Sequence, residues 1–184
     1  MSLMNLALRA VLTMDLEYNN RVFIGLGSNL NDSPAQICQA IRLLEEHFGA
    51  KMIASSLYFS EPVEVRDQPW YYNQVVYFQE LFNECPSMVL KKLKEIEQIM
   101  GRVPIYRYGP RIIDLDLLIY KDWVFESDSL IIPHPKMNER LFVIAPLFEL
   151  APELIHPRCN LSIGAIMKKN SSKFSRCEKV PSTK

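Results

Sequence analysis

The spacing of apolar residues predicts two amphipathic helices. In residues 37–44, apolar side chains recur at i, i+3, i+4 and i+7 between Ser33, the expected N-cap, and Gly49, which ends the pattern. In residues 89–100 they recur at i, i+4, i+7 and i+11 after Pro86, which suits the first turn of a helix. Each segment therefore has one apolar face to bury against another element.

Four further segments have the composition of β-strands. Residues 22–26, 51–59, 71–81 and 112–119 are short runs rich in apolar and aromatic residues. With the two helices they give the order βαββαβ, which is the ferredoxin-like, α+β arrangement of an antiparallel sheet with helices packed on one face. Pro133, Pro135, Pro146, Pro152 and Pro157 divide the remaining C-terminal part, where we expect irregular additions: turns, a minor strand near 124–131 and one or two short helices.

Length and charge favour one globular domain. The chain has 184 residues, 48% of them hydrophobic, with 21 basic and 21 acidic side chains. We expect an N-terminal arm at 1–20, either disordered or in part a cloning artefact, one domain at 21–167, and a Lys/Ser-rich tail or linker at 168–184. The tail carries a net charge of +5 and the rest −5, so we expect no nucleic-acid or membrane partner for the domain.

Other classes of protein are disfavoured by what the chain lacks. The four cysteines and three histidines are scattered without the paired spacing of a zinc site. No segment approaches the roughly 20 apolar residues of a membrane span, and the first twenty residues lack the apolar core of a secretory signal. We therefore expect a cytoplasmic protein.

Asp114 and Asp116 are the first candidate site. On a strand, residues i and i+2 lie on the same face about 7 Å apart, so both carboxylates share one face while Ile113, Leu115 and Leu117 occupy the other. Such a pair can bind one or two magnesium ions. The alternative is a solvated polar face, and the pair alone leaves both open.

The segment before this pair favours the metal site. Arg102, Arg107 and Arg111 are spaced through a loop without periodicity, and there is no acidic residue between Gln98 and Ile113. Guanidinium groups beside a magnesium-binding pair suit the transfer of a polyphosphate group, although such a loop can also be a solvated basic turn. A glycine-rich phosphate cradle is absent, and Gly25-x-Gly27 is interpreted as a strand-to-helix turn.

Aromatic residues offer a second candidate site. Tyr71 and Asn73 begin the third predicted strand, where a ring could stack on a flat heterocycle and an amide could bind its edge. Tyrosines in a strand are more often part of a core. His134, followed by Arg140 and Phe142, can likewise be either a ligand-binding residue or a structural histidine.

These segments resemble one enzyme family, hydroxymethyl-dihydropterin pyrophosphokinase. The resemblance runs from about Val22 to His156, and its most specific element is Gly-Pro-Arg-x-x-Asp-x-Asp at 109–116. Further matches lie at 23–30, 67–73, 133–134 and 146–154. The resemblance implies a ferredoxin-like core and transfer of pyrophosphate from ATP to 6-hydroxymethyl-7,8-dihydropterin, with release of AMP, in folate biosynthesis.

The resemblance also implies roles for particular residues. Asp114 and Asp116 would bind two Mg²⁺ ions, and Arg102 and Arg111 would act with them in catalysis. The pterin would be bound by Ser60, Val63, Tyr71, Asn73, Tyr108 and Phe142. ATP, the co-substrate, would be bound by Lys94, Glu97, Arg102, Arg107, Arg111, Leu117, Ile131, His134 and Arg140. Relatives of this family imply a possible fusion to, or association with, another folate enzyme.

The chain departs from the family at several positions. Tyr108 stands where the family has a tryptophan, and Pro104, Ser129, Ile131 and Pro135 replace side chains that contact the nucleotide in well-studied members. Two alternatives from other classes are a nonenzymatic ferredoxin-like nucleic-acid-binding module and a palm-like two-metal nucleotidyl transferase. The first would need basic and aromatic residues on the sheet, and the second gives no reason for Asn73 between aromatic residues.

Overall fold

The computed structural model describes residues 20–79, 84–103, 109–170 and 176–181. In chain order its elements are β1 (Arg21–Ser28), α1 (Ser33–Phe48), β2 (Ile53–Ala54), β3 (Tyr58–Ser60), β4 (Tyr71–Gln79), α2 (Pro86–Ile99), β5 (Asp114–Tyr120), β6 (Phe125–Glu126), β7 (Ile131–Ile132), a 3₁₀ turn (Met137–Glu139), α3 (Leu141–Leu150), α4 (Ile163–Asn170) and β8 (Cys177–Lys179). The predicted strand at 51–59 is thus two short pieces, β2 and β3. None of the helices in the described ranges is long and apolar enough to cross a membrane.

The main sheet has the strand order β5-β1-β4-β3-β8, and β2 pairs with β4. Each of these pairings is antiparallel. β1 is central, with β4 on one side from Arg21↔Gln79 to Ser28↔Tyr72 and β5 on the other. The predicted α+β, ferredoxin-like core is confirmed.

The two helices of the core, α1 and α2, lie on one face of the sheet as predicted, and the C-terminal helices α3 and α4 cover the other face. Val22, Ile24 and Leu26 of β1 pack with α1 and α2, whereas Phe23 packs in a second core with α3 and α4. The sequence already contains the reason, because residues 22–26 are apolar at every position and a strand of that kind is buried on both faces.

The ends of the first two helices are fixed by their neighbours. The side chain of Asp32 accepts a hydrogen bond from the backbone N–H of Ala35 at 3.2 Å, and Gly49 follows α1 at φ 59°. The N-cap is therefore Asp32 rather than the predicted Ser33, whose hydroxyl instead donates to the carbonyl of Leu30 at 3.4 Å. An ionised carboxylate accepts more strongly than a hydroxyl from the free N–H groups of the first turn.

The C-terminal part completes the sheet. β6 and β7 form a small separate hairpin, which replaces the single minor strand predicted near 124–131. β8 comes from the segment predicted as a basic tail, and it pairs with β3. The Glu149 carboxylate of α3 accepts hydrogen bonds from the Tyr58 hydroxyl at 3.0 Å and the Lys179 ammonium at 3.2 Å, which ties α3 to both strands. The division into arm, domain and tail stays a prediction.

Candidate active site

The site lies on the sheet face that carries α3 and α4, beyond the part these helices cover. On β1, Gly27 is in register with Asn73 on one side and with Asp114 on the other. Gly25 is likewise in register with Asp116. A Cβ added at Gly27 would lie 3.4 Å from the Asn73 Oδ1. The two glycines thus leave space for a cavity of about 460 Å³ between the amide and the carboxylates.

These glycines are functional residues that the sequence interpretation missed. Gly25 and Gly27 lie inside β1 rather than in a strand-to-helix turn. Their spacing of two was the available signal, because it places both on one face of the strand. Glycine is common in turns, but it also occurs inside strands at points where a ligand approaches the backbone closely.

The two carboxylates have opposite surroundings. Asp114 is paired with two guanidinium groups, Arg102 Nη1 at 2.8 Å and Arg111 Nη1 at 2.6 Å. The carboxylate of Asp116 forms no hydrogen bond or ion pair with any described residue. Burial, followed by the negative charge of Asp114, raises the pKa of Asp116 to about 6. Within the described ranges no third Asp, Glu, His or Cys joins them to form a metal-binding cluster.

Glu97 of α2 lies behind the arginines. Its buried carboxylate accepts a hydrogen bond from the backbone N–H of Leu115 at 2.7 Å, is paired with Lys94 at 3.0 Å and also contacts Arg102. Glu97 does not line the cavity, whereas Lys94 and Arg102 do. It therefore holds two cations at the edge of the cavity and fixes the start of β5.

Asn29, just after β1, connects two loops of the site. Its Oδ1 accepts a hydrogen bond from the Arg111 backbone N–H at 2.8 Å, and its amide donates to the carbonyl of Pro69 at 3.0 Å. Burial opposes the charge of Arg111, but Asp114 and Tyr71 offset it and the pKa of the guanidinium is raised. The position of Arg111 beside Asp114 is thus set by a residue with no predicted role.

The aromatic side of the cavity comes from two distant segments. Tyr71 lies at the start of β4, and its hydroxyl donates to Gln68 Oε1 at 3.1 Å. Phe142 lies in the first turn of α3, with the guanidinium of Arg140 5.7 Å from its ring centroid. Both rings and Asn73 line the same cavity. Tyr71 and Phe142 come together in one cavity because α3 packs on the face of the sheet that α1 and α2 do not cover.

His134 lies where the loop after β7 meets β5. Its backbone N–H donates to the Leu118 carbonyl at 2.8 Å, and its Nδ1 accepts from the Lys136 backbone N–H at 3.3 Å. Burial and the charge of Arg140 lower the pKa of His134 to about 4. The imidazole is therefore neutral at pH 7, and since Nδ1 is an acceptor, the proton is on Nε2.

The sequence model of the family described as 7,8-dihydro-6-hydroxymethylpterin-pyrophosphokinase (HPPK) matches residues 23–152. This chain belongs to the HPPK family. The matched segment runs from β1 through α3 and includes both carboxylates, both aromatic rings and the glycines of the cavity floor. The resemblance seen in the sequence is confirmed.

Relatives of this HPPK-family chain include longer proteins. It is 41% identical over 152 residues to the folic acid synthesis protein fol1 of Pneumocystis carinii, a match that covers 82% of this chain but 20% of that protein. It is 39% identical over 137 residues to the 2-amino-4-hydroxy-6-hydroxymethyldihydropteridine pyrophosphokinase of Bacillus subtilis, covering 74% and 81% respectively. The chain thus spans about one fifth of the fungal relative and most of the bacterial one.

A solved structure has the same fold. The wild-type HPPK-DHPS of Plasmodium falciparum with pteroate is similar to this chain with a TM-score of 0.66 at 17% sequence identity. The match covers 83% of this chain and 44% of that one.

The structure brings most of the predicted site residues of this HPPK-family chain into one cavity. That cavity is lined by Ser60, Val63, Tyr71, Asn73, Lys94, Arg102, Arg111, Asp114, Asp116, His134, Arg140 and Phe142. Leu117 and Ile131 instead line an adjoining cavity of about 280 Å³, which shares Lys94, Asp116 and His134 with the first. Arg107 and Tyr108 lie outside the described residues. The ligand assigned to each residue stays a prediction.

Proposed function

We propose that this chain transfers the pyrophosphoryl group of ATP to the hydroxymethyl oxygen of 6-hydroxymethyl-7,8-dihydropterin and releases AMP, in folate biosynthesis. The observation that carries the proposal is a single cavity lined both by Asp116, whose carboxylate has no partner among the described residues, and by Asn73 with two aromatic rings, Tyr71 and Phe142. Family membership and the name of the Bacillus subtilis relative support the same reaction.

The carboxylate pair fits Mg²⁺, and we propose that two ions bind there with ATP. Mg²⁺ uses one or two carboxylates and leaves its other positions to phosphates and water, so two acids without further protein ligands suit it. Asp116 offers a carboxylate without a described partner, and Asp114 becomes available when its arginines turn away. Bound ions would neutralise phosphate charge and lower the pKa of the attacking hydroxyl.

We infer that Arg102 and Arg111 exchange partners when ATP binds. Without ligand they neutralise Asp114. A guanidinium binds phosphate oxygens through two parallel hydrogen bonds, so both groups can turn to the transferred phosphates. There they stabilise charge as the hydroxymethyl oxygen bonds to the β-phosphorus and the bond from that phosphorus to the AMP oxygen breaks. The proton of the hydroxyl leaves to solvent.

The neighbouring basic residues hold the rest of the triphosphate. In the protein without ligand, His134 is neutral and carries its proton on Nε2, so this nitrogen can donate a hydrogen bond to a phosphate oxygen. Arg140 adds a positive charge at the same side of the cavity, and Lys94 lines both cavities. Glu97 would act on ATP through Lys94 and Arg102, and contacts from Arg107, Leu117 and Ile131 remain part of the proposal.

The pterin would bind at the other end. Its flat ring system would lie between Tyr71 and Phe142 with its edge towards Asn73, and Ser60 and Val63, which line the same cavity, would contact it as well. Stacking supplies affinity, and the buried polar edge supplies discrimination between ring systems. Tyr108 is proposed as a further aromatic contact by the family resemblance.

Calorimetry with single ligands tests the proposal against its alternatives. We expect 6-hydroxymethylpterin to bind without nucleotide, ATP to bind with magnesium, and AMP to form when the reduced pterin and ATP are both present with magnesium. A palm-like nucleotidyl transferase would release pyrophosphate instead of AMP, and a nucleic-acid-binding module would bind RNA with steep salt dependence. Either of those results, or failure of the pterin to bind, would overturn the proposal.

Replacing Phe142 by alanine should weaken pterin binding about 10- to 100-fold, since a stacked ring contributes about 2 kcal/mol through buried area and ring contact. ATP binding should change less than threefold, because the ring is proposed to touch the pterin alone. Phe148→Ala is the matched control, because that ring lies on the same helix and is 42% exposed. Equal losses of pterin and ATP affinity would indicate a general structural role for Phe142.

The cellular setting is proposed from the relatives. We propose that the chain acts in the cytoplasm and beside, or fused to, another enzyme of folate synthesis. The match to less than half of the Plasmodium HPPK-DHPS chain and to one fifth of the fungal protein supports this arrangement.

A further inference from the structure

The Asn73 amide has its orientation set by two neighbours inside the protein. Its Nδ2 donates to the Ser60 hydroxyl oxygen at 2.9 Å and to the Tyr71 backbone carbonyl at 3.3 Å. Both side chains are buried, with 4% of Asn73 and 2% of Ser60 exposed. The contacts follow from strand register, because Ser60 pairs with Tyr71 and Tyr58 pairs with Asn73 across β3 and β4.

A backbone carbonyl decides which end of the amide faces the cavity. The Tyr71 carbonyl can only accept hydrogen bonds, so the nitrogen of Asn73 must be the atom beside it. An amide nitrogen has two hydrogens, and both are used within the protein. The oxygen Oδ1 lies above Gly27, where the glycine leaves room for it. Asn73 therefore presents a hydrogen-bond acceptor, and no donor, to a ligand in the cavity.

We propose that Ser60 is a positioning residue that holds the Asn73 amide against the Tyr71 carbonyl, so that the cavity selects ligands presenting an N–H donor edge. This inference rests on the proposed function. The Ser60 hydroxyl can both donate and accept, so it does not itself choose the direction of the amide. The hydroxyl fixes the plane of the amide. If the amide were reversed within that plane, its oxygen would face the Tyr71 carbonyl oxygen, and the two acceptors would repel each other. Without the hydroxyl, the amide can rotate away from that repulsion.

The selected edge is a ring N–H beside an amino group. A 4-oxo pterin has that edge, because its ring nitrogen N3 carries a hydrogen. A 2,4-diaminopteridine has a lone pair at the same nitrogen, which would face Oδ1 and leave two buried acceptors opposed. Such mismatches at buried polar groups cost far more affinity than the loss of an apolar contact. We therefore expect the unmodified protein to bind 6-hydroxymethylpterin at least about 100-fold more tightly than its 2,4-diamino analogue.

The test compares this affinity ratio among serine variants. In Ser60→Ala the ratio should fall about tenfold, the equivalent of one hydrogen bond, and in Ser60→Thr, which keeps the hydroxyl, it should stay within about twofold. Ser55→Ala is the matched control. Ser55 is also buried and its hydroxyl accepts from the Val75 backbone N–H at 3.2 Å, but it does not line the cavity. An unchanged ratio in Ser60→Ala, or an equal fall in Ser60→Thr or Ser55→Ala, would overturn the proposal.

A measurement on the ligand-free protein separates this proposal from the proposed function. The side-chain amide protons of Asn73, assigned by their loss in Asn73→Asp, should exchange slowly with water in the unmodified protein. In Ser60→Ala at least one should exchange about tenfold faster, and in Ser60→Thr both should remain slow. Fast exchange in the unmodified protein would contradict the fixed amide, whereas slow exchange with no pterin binding would contradict the proposed function alone.

Discussion

Replacing Asp116 by asparagine should lower AMP release from ATP and the reduced pterin by roughly a thousandfold or more, because it removes the charge proposed to hold the metal. The carboxylate of Asp116 accepts no hydrogen bond from the described residues, while that of Asp114 is already neutralised by two arginines. Its charge is therefore available to a ligand. Initial rates of AMP formation over a range of magnesium concentrations would measure the loss.

The same substitution should not weaken the fold. Asparagine keeps the size of the side chain and removes the repulsion from Asp114, so the midpoint of thermal unfolding without metal should stay the same or rise. Asp122→Asn is the control for charge, because Asp122 is exposed and outside the cavity. AMP release within tenfold of the unmodified rate would show that Asp116 is not a metal ligand and would remove the main support for the proposed chemistry.

Replacing Arg111 by lysine should lower the rate of AMP release about 100- to 1000-fold, the typical cost of losing one donor to transition-state charge. Lysine keeps the charge but lacks the planar pair of donors that fits a phosphate. The backbone contact with Asn29 is unaffected by the side chain, so the loop should keep its position. Pterin affinity should change less than threefold, which calorimetry without nucleotide would measure.

Arg158→Lys is the corresponding control. Arg158 is paired with Glu126 at 3.1 Å on the surface, and it does not line the cavity. Its replacement should leave AMP release unchanged. If Arg111→Lys were as active as this control, Arg111 would serve to neutralise Asp114 rather than the transferred group.

The structure separates what local sequence could predict from what it could not. The helix at 86–99 and the strand at 114–120 follow from periodicity, and alternation along β5 correctly places Asp114 and Asp116 opposite Leu115. These features depend on contacts a few residues apart. The break between β2 and β3 was missed, because it depends on pairing with β4, whose partner residues lie 11 to 24 positions later in the chain.

The roles of small and polar residues were harder to predict. Gly27 has a turn-like sequence context, yet it lies between Asn73 and Asp114, which are 46 and 87 positions further along the chain. The contact of Ser60 with a ligand stays a prediction, but the hydrogen bond that its hydroxyl accepts from Asn73 was not expected. In both cases the role depends on strand register, which no local pattern specifies.

The sequence by itself determined the order of elements, the face of the strand that carries the two aspartates, and the family, because these depend on short spacings and a specific motif. Only the tertiary structure decided that β8 pairs at the edge of the sheet and that α3 brings Phe142 into the same cavity as Tyr71. It also decided that Asp114, but not Asp116, is neutralised by arginines. Each of these features depends on strand register and on the packing of segments that are distant in the sequence, and both are fixed only when the whole chain folds.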